Sequence, residues 1–160
     1  MGVSGSGKTT VAKLFAEKTG AVFYEGDDFH PPANIAKMRQ GIPLTDDDRA
    51  PWLLALGKII ADALMQNEWV ALACSALKAS YREQLQGSDA RVRFVYLTGP
   101  PELIAERLKQ RHDHFMPPAL LPSQLATLEP PTNALVFSCE KSPDEIVAEL
   151  IQTLEADVCG

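Results

Sequence analysis

Several things are scarce in these 160 residues, and each scarcity excludes something. No apolar run approaches the roughly 18 residues that a membrane-spanning helix requires. Cysteine appears three times, at Cys74, Cys139 and Cys159, with no C-x-x-C pair. The three histidines, His30, His112 and His114, do not combine with those cysteines at zinc-ligand spacings, which argues against a structural zinc site. Reduced thiols and no leader pattern make a cytoplasmic protein the expectation. Basic residues are outnumbered 15 to 21 by acidic ones, for a net charge of −6. That balance disfavours general binding to nucleic acid or to an anionic membrane, so an anionic ligand must be met by a few local cations. Internal repeats, low-complexity tracts and long charge blocks are also missing. The length predicts a single domain over 1–160.

What is present alternates between helix and strand. Helical spacing is clear at Val11, Leu14, Phe15 and Lys18, again from Trp52 to Leu64, and again at Ile146, Val147, Leu150, Ile151 and Leu154. Ser142-Pro143-Asp144-Glu145 reads as a capping box that starts the last of these helices. Four apolar runs have strand length: Ala21–Glu25, Trp69–Cys74, Val92–Leu97 and Ala134–Cys139. They do not alternate strictly, as suits strands buried on both faces. The pattern predicts an α/β fold with helices covering a parallel sheet. The stretch from Arg111 to Pro122 lacks periodicity and is the candidate lid.

The strongest local signal is Gly2-Val-Ser-Gly-Ser-Gly7-Lys8-Thr9, a full G-x-x-x-x-G-K-[ST] phosphate loop. Glycines let successive backbone N–H groups turn inward on phosphate oxygens. Lys8 supplies a charge to the β- and γ-phosphates, and the Thr9 hydroxyl is suited to ligate Mg²⁺. Gly2, Ser4, Gly5, Ser6, Gly7, Lys8, Thr9 and Thr10 are therefore the candidate contacts to ATP. Such a loop normally follows a strand, and only Met1 precedes it here. The expectation is that the first, central strand is missing from the chain as given.

The sequence has no N-K-x-D guanine signature, and the Trp69–Cys74 run ends without an acidic residue. Both points direct attention from GTPases and large ATPases to small-molecule kinases, which place a carboxylate after the second strand. Glu25-Gly-Asp27-Asp28-Phe-His30-Pro stands there, either as a base for an attacking hydroxyl or as an Asp-rich turn.

The blocks Gly26-Asp-Asp-Phe-His-Pro31, Asp46-Asp-Asp-Arg-Ala-Pro-Trp-Leu53, Ala73-Cys-Ser-Ala-Leu-Lys78 and His114-Phe-Met-Pro117 resemble gluconate kinases in order and spacing. So do Tyr81-Arg82 and the segment from Ser123-Gln124 to Pro130. The similarity runs from Met1 to about Pro131. It implies a nucleoside-monophosphate-kinase-like three-layer fold that phosphorylates the 6-hydroxyl of D-gluconate with ATP and Mg²⁺, and it is compatible with a homodimer. Asp27 is then a substrate contact that serves as base or hydroxyl positioner, and His30, Arg49, Lys78, Arg82 and His114 are further substrate contacts. The resemblance puts Arg107 against adenine and Arg111 at the transferring phosphoryl group. Taken as residues alone, Lys78 and Arg82 are equally readable as solvated helix charges, whereas for Arg49 an ordinary helix-start surface arginine is the lesser alternative. Asp113 stands where such kinases carry glycine, and Glu25 where aspartate is common. The rival readings are a shikimate-type kinase and an inactive nucleotide-binding fragment. The kinase reading further expects Lys8, Arg49, Lys78, Arg82, Arg107 and Arg111 to converge on one cleft.

Overall fold

A computed structural model describes residues 1–110 and 117–159, with side chains through Asp157. Helix α1 (Lys8–Thr19) leads to strand β1 (Val22–Glu25), a 3₁₀ turn (Gly26–Phe29), α2 (Pro32–Arg39) and the long α3 (Asp46–Gln66). Then follow β2 (Val70–Ala73), α4 (Ala79–Gln86), β3 (Val95–Thr98) and α5 (Pro101–Lys109). A second 3₁₀ turn (Pro118–Leu120), α6 (Leu121–Thr127), β4 (Leu135–Ser138) and α7 (Pro143–Cys159) complete the described chain. Each of the four expected strands is present, shorter by one or two residues than its apolar run, and β3 extends one residue past its run to Thr98.

All strand pairing is parallel, but the sheet is divided. β1 pairs with β2 in the register Val22↔Val70 to Glu25↔Ala73, and β3 with β4 from Val95↔Leu135 to Thr98↔Ser138. The Met1–Gly2 backbone lies between the two pairs. Leu97 N–H donates to Met1 O at 3.0 Å and Gly2 N–H to Ser75 O at 3.2 Å, while Met1 N donates to Val95 O. The phosphate loop thus leaves the sheet at its middle, where the carboxyl ends of β1 and β2 flank it on one side and β3 and β4 on the other.

Alternate strand residues serve opposite faces. Tyr96 and Leu72 pack with Trp52, Leu53, Leu56 and Tyr81 from α3 and α4. Their neighbours Leu97 and Ala71 pack with Val11, Phe15, Ile146, Val147 and Leu150 from α1 and α7. Burial on both faces is why these strands read as unbroken apolar runs. A third cluster joins Val3 of the phosphate loop to Leu77, Ile104, Leu108 and Leu121. It fixes α5 and α6 beside the loop. The second half of the candidate lid is therefore packed: Leu120 is buried with Met38 and Leu44, and Leu121 with Ile104 and Leu108. The first half, 111–116, lies outside the described residues.

Local chemistry starts the two longest helices. Thr45 Oγ1 accepts from Asp48 N–H at 3.1 Å and Asp48 Oδ2 from Thr45 N–H at 2.9 Å, a capping box that opens α3. Asp46, Asp47 and Asp48 all sit in its first turn, where the helix dipole favours anions. Lys37 and the Thr45 amide hold the Asp48 carboxyl down at about 2. The predicted box at α7 is formed, with Ser142 N–H donating to Glu145 Oε2 at 2.8 Å and Glu145 N–H to Ser142 Oγ at 3.3 Å.

Candidate active site

The phosphate loop curls from Gly2 into α1, with Ser6 N–H donating to Val3 O at 3.3 Å. Gly5 has φ +84°, and a Cβ there would lie 2.8 Å from Leu108 Cγ and 3.0 Å from Ile104 O. Only glycine fits, because α5 presses directly on the loop. Val11 N–H makes the first bond of α1, to Gly7 O at 3.0 Å, and a helix start of this kind favours an anion. Ser6 Oγ is buried with no hydrogen-bond partner among the described residues. A buried donor left this way costs about 1–3 kcal/mol until a ligand oxygen accepts from it. Lys8 Nζ donates back to Val3 O at 2.9 Å, so its charge lies over the loop. These features fit a polyphosphate.

Thr9 Oγ1 donates to Glu25 Oε2 at 2.6 Å, joining the helix start to the carboxyl end of β1. The other Glu25 oxygen accepts from Asp27 N–H at 3.5 Å. Asp27 is set by the turn that follows. A Cβ on Gly26 would meet Ala73 O at 2.5 Å, so the turn lies hard against the end of β2. Trp52 Nε1 holds the same glycine by donating to its carbonyl at 2.7 Å. The His30 ring stacks on Trp52, centroids 4.6 Å apart and planes 9° apart, with Nδ1 3.4 Å from Asn34 Nδ2.

One cleft collects these groups. Its walls include Ser4, Gly5, Gly7, Lys8 and Thr9 on one side and Glu25, Asp27, His30, Arg49 and Trp52 on the other. Ser123, Gln124 and Thr127 of α6 close its end, and Gln124 Oε1 accepts from Ser4 N–H at 2.7 Å. A second recess opens on the far side of the same loop, lined by Gly5, Ser6, Gly7, Thr10, Arg107, Cys139, Lys141 and Pro143. Arg107 is pinned there by its donation to Cys139 O at 2.8 Å. The loop therefore separates a recess with one arginine from a cleft that pairs carboxylates with cations. A polyphosphate bridging the two would present its last phosphoryl group to the carboxylate side.

The expected convergence of six cations is only partly realised. Lys8 and Arg49 line the cleft and Arg107 the adjoining recess. Arg111 and His114, like Asp113, lie outside the described residues. Arg82 is not brought to the cleft lining: it is buried, and its NH1 donates to Ala76 O at 2.9 Å and Leu77 O at 3.0 Å. Those bonds brace a loop in which Ala76 adopts φ +44°, a conformation costly for a residue with a Cβ. Lys78 also lies outside the lining, with Nζ donating to both Asp46 oxygens at 2.8 Å. Both were expected at the substrate, and both are spent on the protein instead. Conversely, Gln124 reaches the phosphate loop from 120 residues away. Its only sequence signal is membership of the Ser123-Gln124 block.

Burial lowers the His30 pKa below its ordinary 6.5; nearby Asp27 opposes the shift and Arg49 adds to it. The unfolded chain then takes up a proton first on acidification. His30 leaves stability unaffected above about pH 6.5 and costs stability as pH falls through that value, until the folded imidazole also protonates. Thermal melts between pH 7.5 and 5.5 are expected to show a steeper fall in Tm for the parent than for His30→Gln. Equal slopes would contradict a neutral, buried imidazole.

A family model described as an AAA domain matches residues 1–131. A gluconokinase of Gluconobacter oxydans is 49% identical, with 98% of this chain and 90% of that protein covered. The crystal structure of a gluconokinase from Sinorhizobium meliloti superposes with a TM-score of 0.81 at 45% identity, covering 98% of this chain and 94% of that one. An unliganded sugar kinase from Janibacter gives a TM-score of 0.89 at 44% identity, covering 97% and 91%.

Proposed function

Because the chain belongs to the gluconokinase family of P-loop kinases, we propose that it transfers the γ-phosphoryl group of ATP to the 6-hydroxyl of D-gluconate, giving 6-phospho-D-gluconate. The observation that carries this reading is that Asp27, His30 and Arg49 line the same cleft as Lys8 and Thr9 of the phosphate loop. In the reaction a bond forms from the sugar oxygen to the γ-phosphorus as the bond to ADP breaks. The hydroxyl proton passes to the Asp27 carboxylate.

The roles follow from chemistry and position. Gly2 and the segment from Ser4 to Thr10 bind the phosphates, and Arg107 lies where the adenine-side recess opens. Arg49 pairs with the substrate carboxylate, for which a planar guanidinium is the best match. His30, stacked and neutral, contacts sugar hydroxyls. Arg111 at the transferring phosphoryl group and His114 at the substrate complete the proposal by family resemblance. Mg²⁺ would be held by Thr9, with Glu25 beside it, an all-oxygen set that suits a hard cation bound chiefly through phosphates. Once bound, Mg²⁺ supplies neutralisation of charge on the β- and γ-phosphate oxygens.

Among the described residues no helix is long and apolar enough to cross a membrane. Cys74 and Cys139 are free and buried, which supports the cytoplasm as the working compartment. The deciding experiment is a coupled assay of ADP formation with gluconate and, separately, shikimate. Gluconate-dependent turnover with none on shikimate is expected. Turnover on shikimate alone, or ATP binding with no turnover on either, would overturn the assignment.

A further inference from the structure

Arg49 is held at the cleft wall by a network that the family blocks do not announce. Its NH1 donates to Tyr81 Oη at 3.2 Å, and its guanidinium sits 5.7 Å from the centre of the same ring. The Tyr81 hydroxyl donates in turn to Asp46 Oδ1. Lys78 Nζ donates to both oxygens of that carboxylate at 2.8 Å and lies 5.6 Å from the Tyr81 ring. Asp46 and Arg49 come from the first turn of α3, Tyr81 from α4, and Lys78 caps α4.

The order of donors gives the network a direction. A phenol has one proton to give and lone pairs to receive. Asp46 is kept ionised by its bonds to Lys78 and Tyr81, so it takes that proton. A lone pair of Tyr81 is thereby turned toward Arg49. Lys78 offsets the Asp46 charge, and Asp46 stays 3.9 Å from the Arg49 guanidinium, too far for a close bidentate pair. Among the described residues Tyr81 is the one hydrogen-bond acceptor of the Arg49 side chain. The guanidinium is therefore fixed along one edge and keeps its remaining donors for the cleft.

We propose that Tyr81, itself held by Asp46 and Lys78, is a positioning residue that orients Arg49 toward the substrate carboxylate and so tunes affinity for the sugar acid. This rests on the reading of Arg49 as the carboxylate partner. Lys78, expected at the substrate, then has a different use: it keeps Asp46 from competing for Arg49.

Steady-state kinetics of Tyr81→Phe, Asp46→Asn and Arg49→Gln test the idea. Losing the hydrogen bond to a charged group should raise the KM for gluconate about tenfold in Tyr81→Phe. The kcat should stay within about twofold and the KM for ATP should not move, because the ring and its packing remain. Asp46→Asn, which leaves the phenol without an anionic acceptor, should raise the same KM by a smaller factor. Asp46 is exposed at a helix start, so this variant carries the test if Tyr81→Phe does not fold. An unchanged KM for gluconate in both variants would overturn the proposal. So would a parallel rise in both substrates' KM values with a lower kcat, the mark of a structural role. Arg49→Gln separates the two levels: a raised KM there with none in Tyr81→Phe removes only the Tyr81 assignment, whereas no effect in Arg49→Gln removes the carboxylate reading beneath it.

Discussion

Asp27→Asn is expected to lower kcat on gluconate by about a thousandfold, within the range that general-base catalysis contributes, while ATP affinity stays within about twofold. The substitution preserves shape and removes basicity, so it isolates the proton transfer. The position supports a large effect. Asp27 follows a glycine wedged against Ala73 O, and that glycine's carbonyl is held by the buried Trp52 indole. The carboxylate is therefore presented to the cleft from a rigid base rather than a mobile loop, which proximity effects require. Single-turnover kinetics together with calorimetric ATP titration make the measurement. A variant with near-parental kcat would show that the hydroxyl proton leaves by another route.

Lys8→Ala is expected to act on binding and chemistry together. Removing a preorganised cation from a phosphoryl-transfer site should cost about a hundredfold or more in kcat, and ATP affinity should fall about tenfold. Lys8 Nζ rests on Val3 O, at the floor of its own loop, so the charge sits over the phosphate site in advance of the ligand. Lys8→Arg is not expected to restore turnover, because a planar fork does not replace a compact ammonium in a loop this tight. ATP titration and kcat measured on both variants check the split. A loss confined to ATP affinity, with kcat intact, would mean that Lys8 binds the nucleotide without stabilising the transition state.

These two residues were legible in the sequence for different reasons. Lys8 belongs to eight contiguous residues whose spacing alone builds a phosphate cradle. Asp27 needed the preceding strand to be recognised, since a carboxylate means most at the carboxyl end of a parallel strand. The short helices α2, α4, α5 and α6 were harder to read, because two turns give too few apolar positions for a clear period. Arg82 and Lys78, expected at the substrate, lie outside the cleft lining. Their charge was visible, but not the carbonyls of Ala76 and Leu77, or the Asp46 carboxylate, that absorb it.

What the sequence by itself determined is whatever depends on neighbours a few residues apart. That includes the phosphate loop, the capping box at Ser142, the four apolar strands and the α/β class that follows from them. Tertiary structure alone decided which cations face the ligand. It divided the sheet around the Met1–Gly2 backbone, brought Gln124 to Ser4, and set Tyr81 between Arg49 and Asp46. The physical reason is the range of the interactions. A backbone turn or a helix cap is satisfied locally, whereas a long charged side chain takes whichever partner the packing of separate helices brings within hydrogen-bond reach.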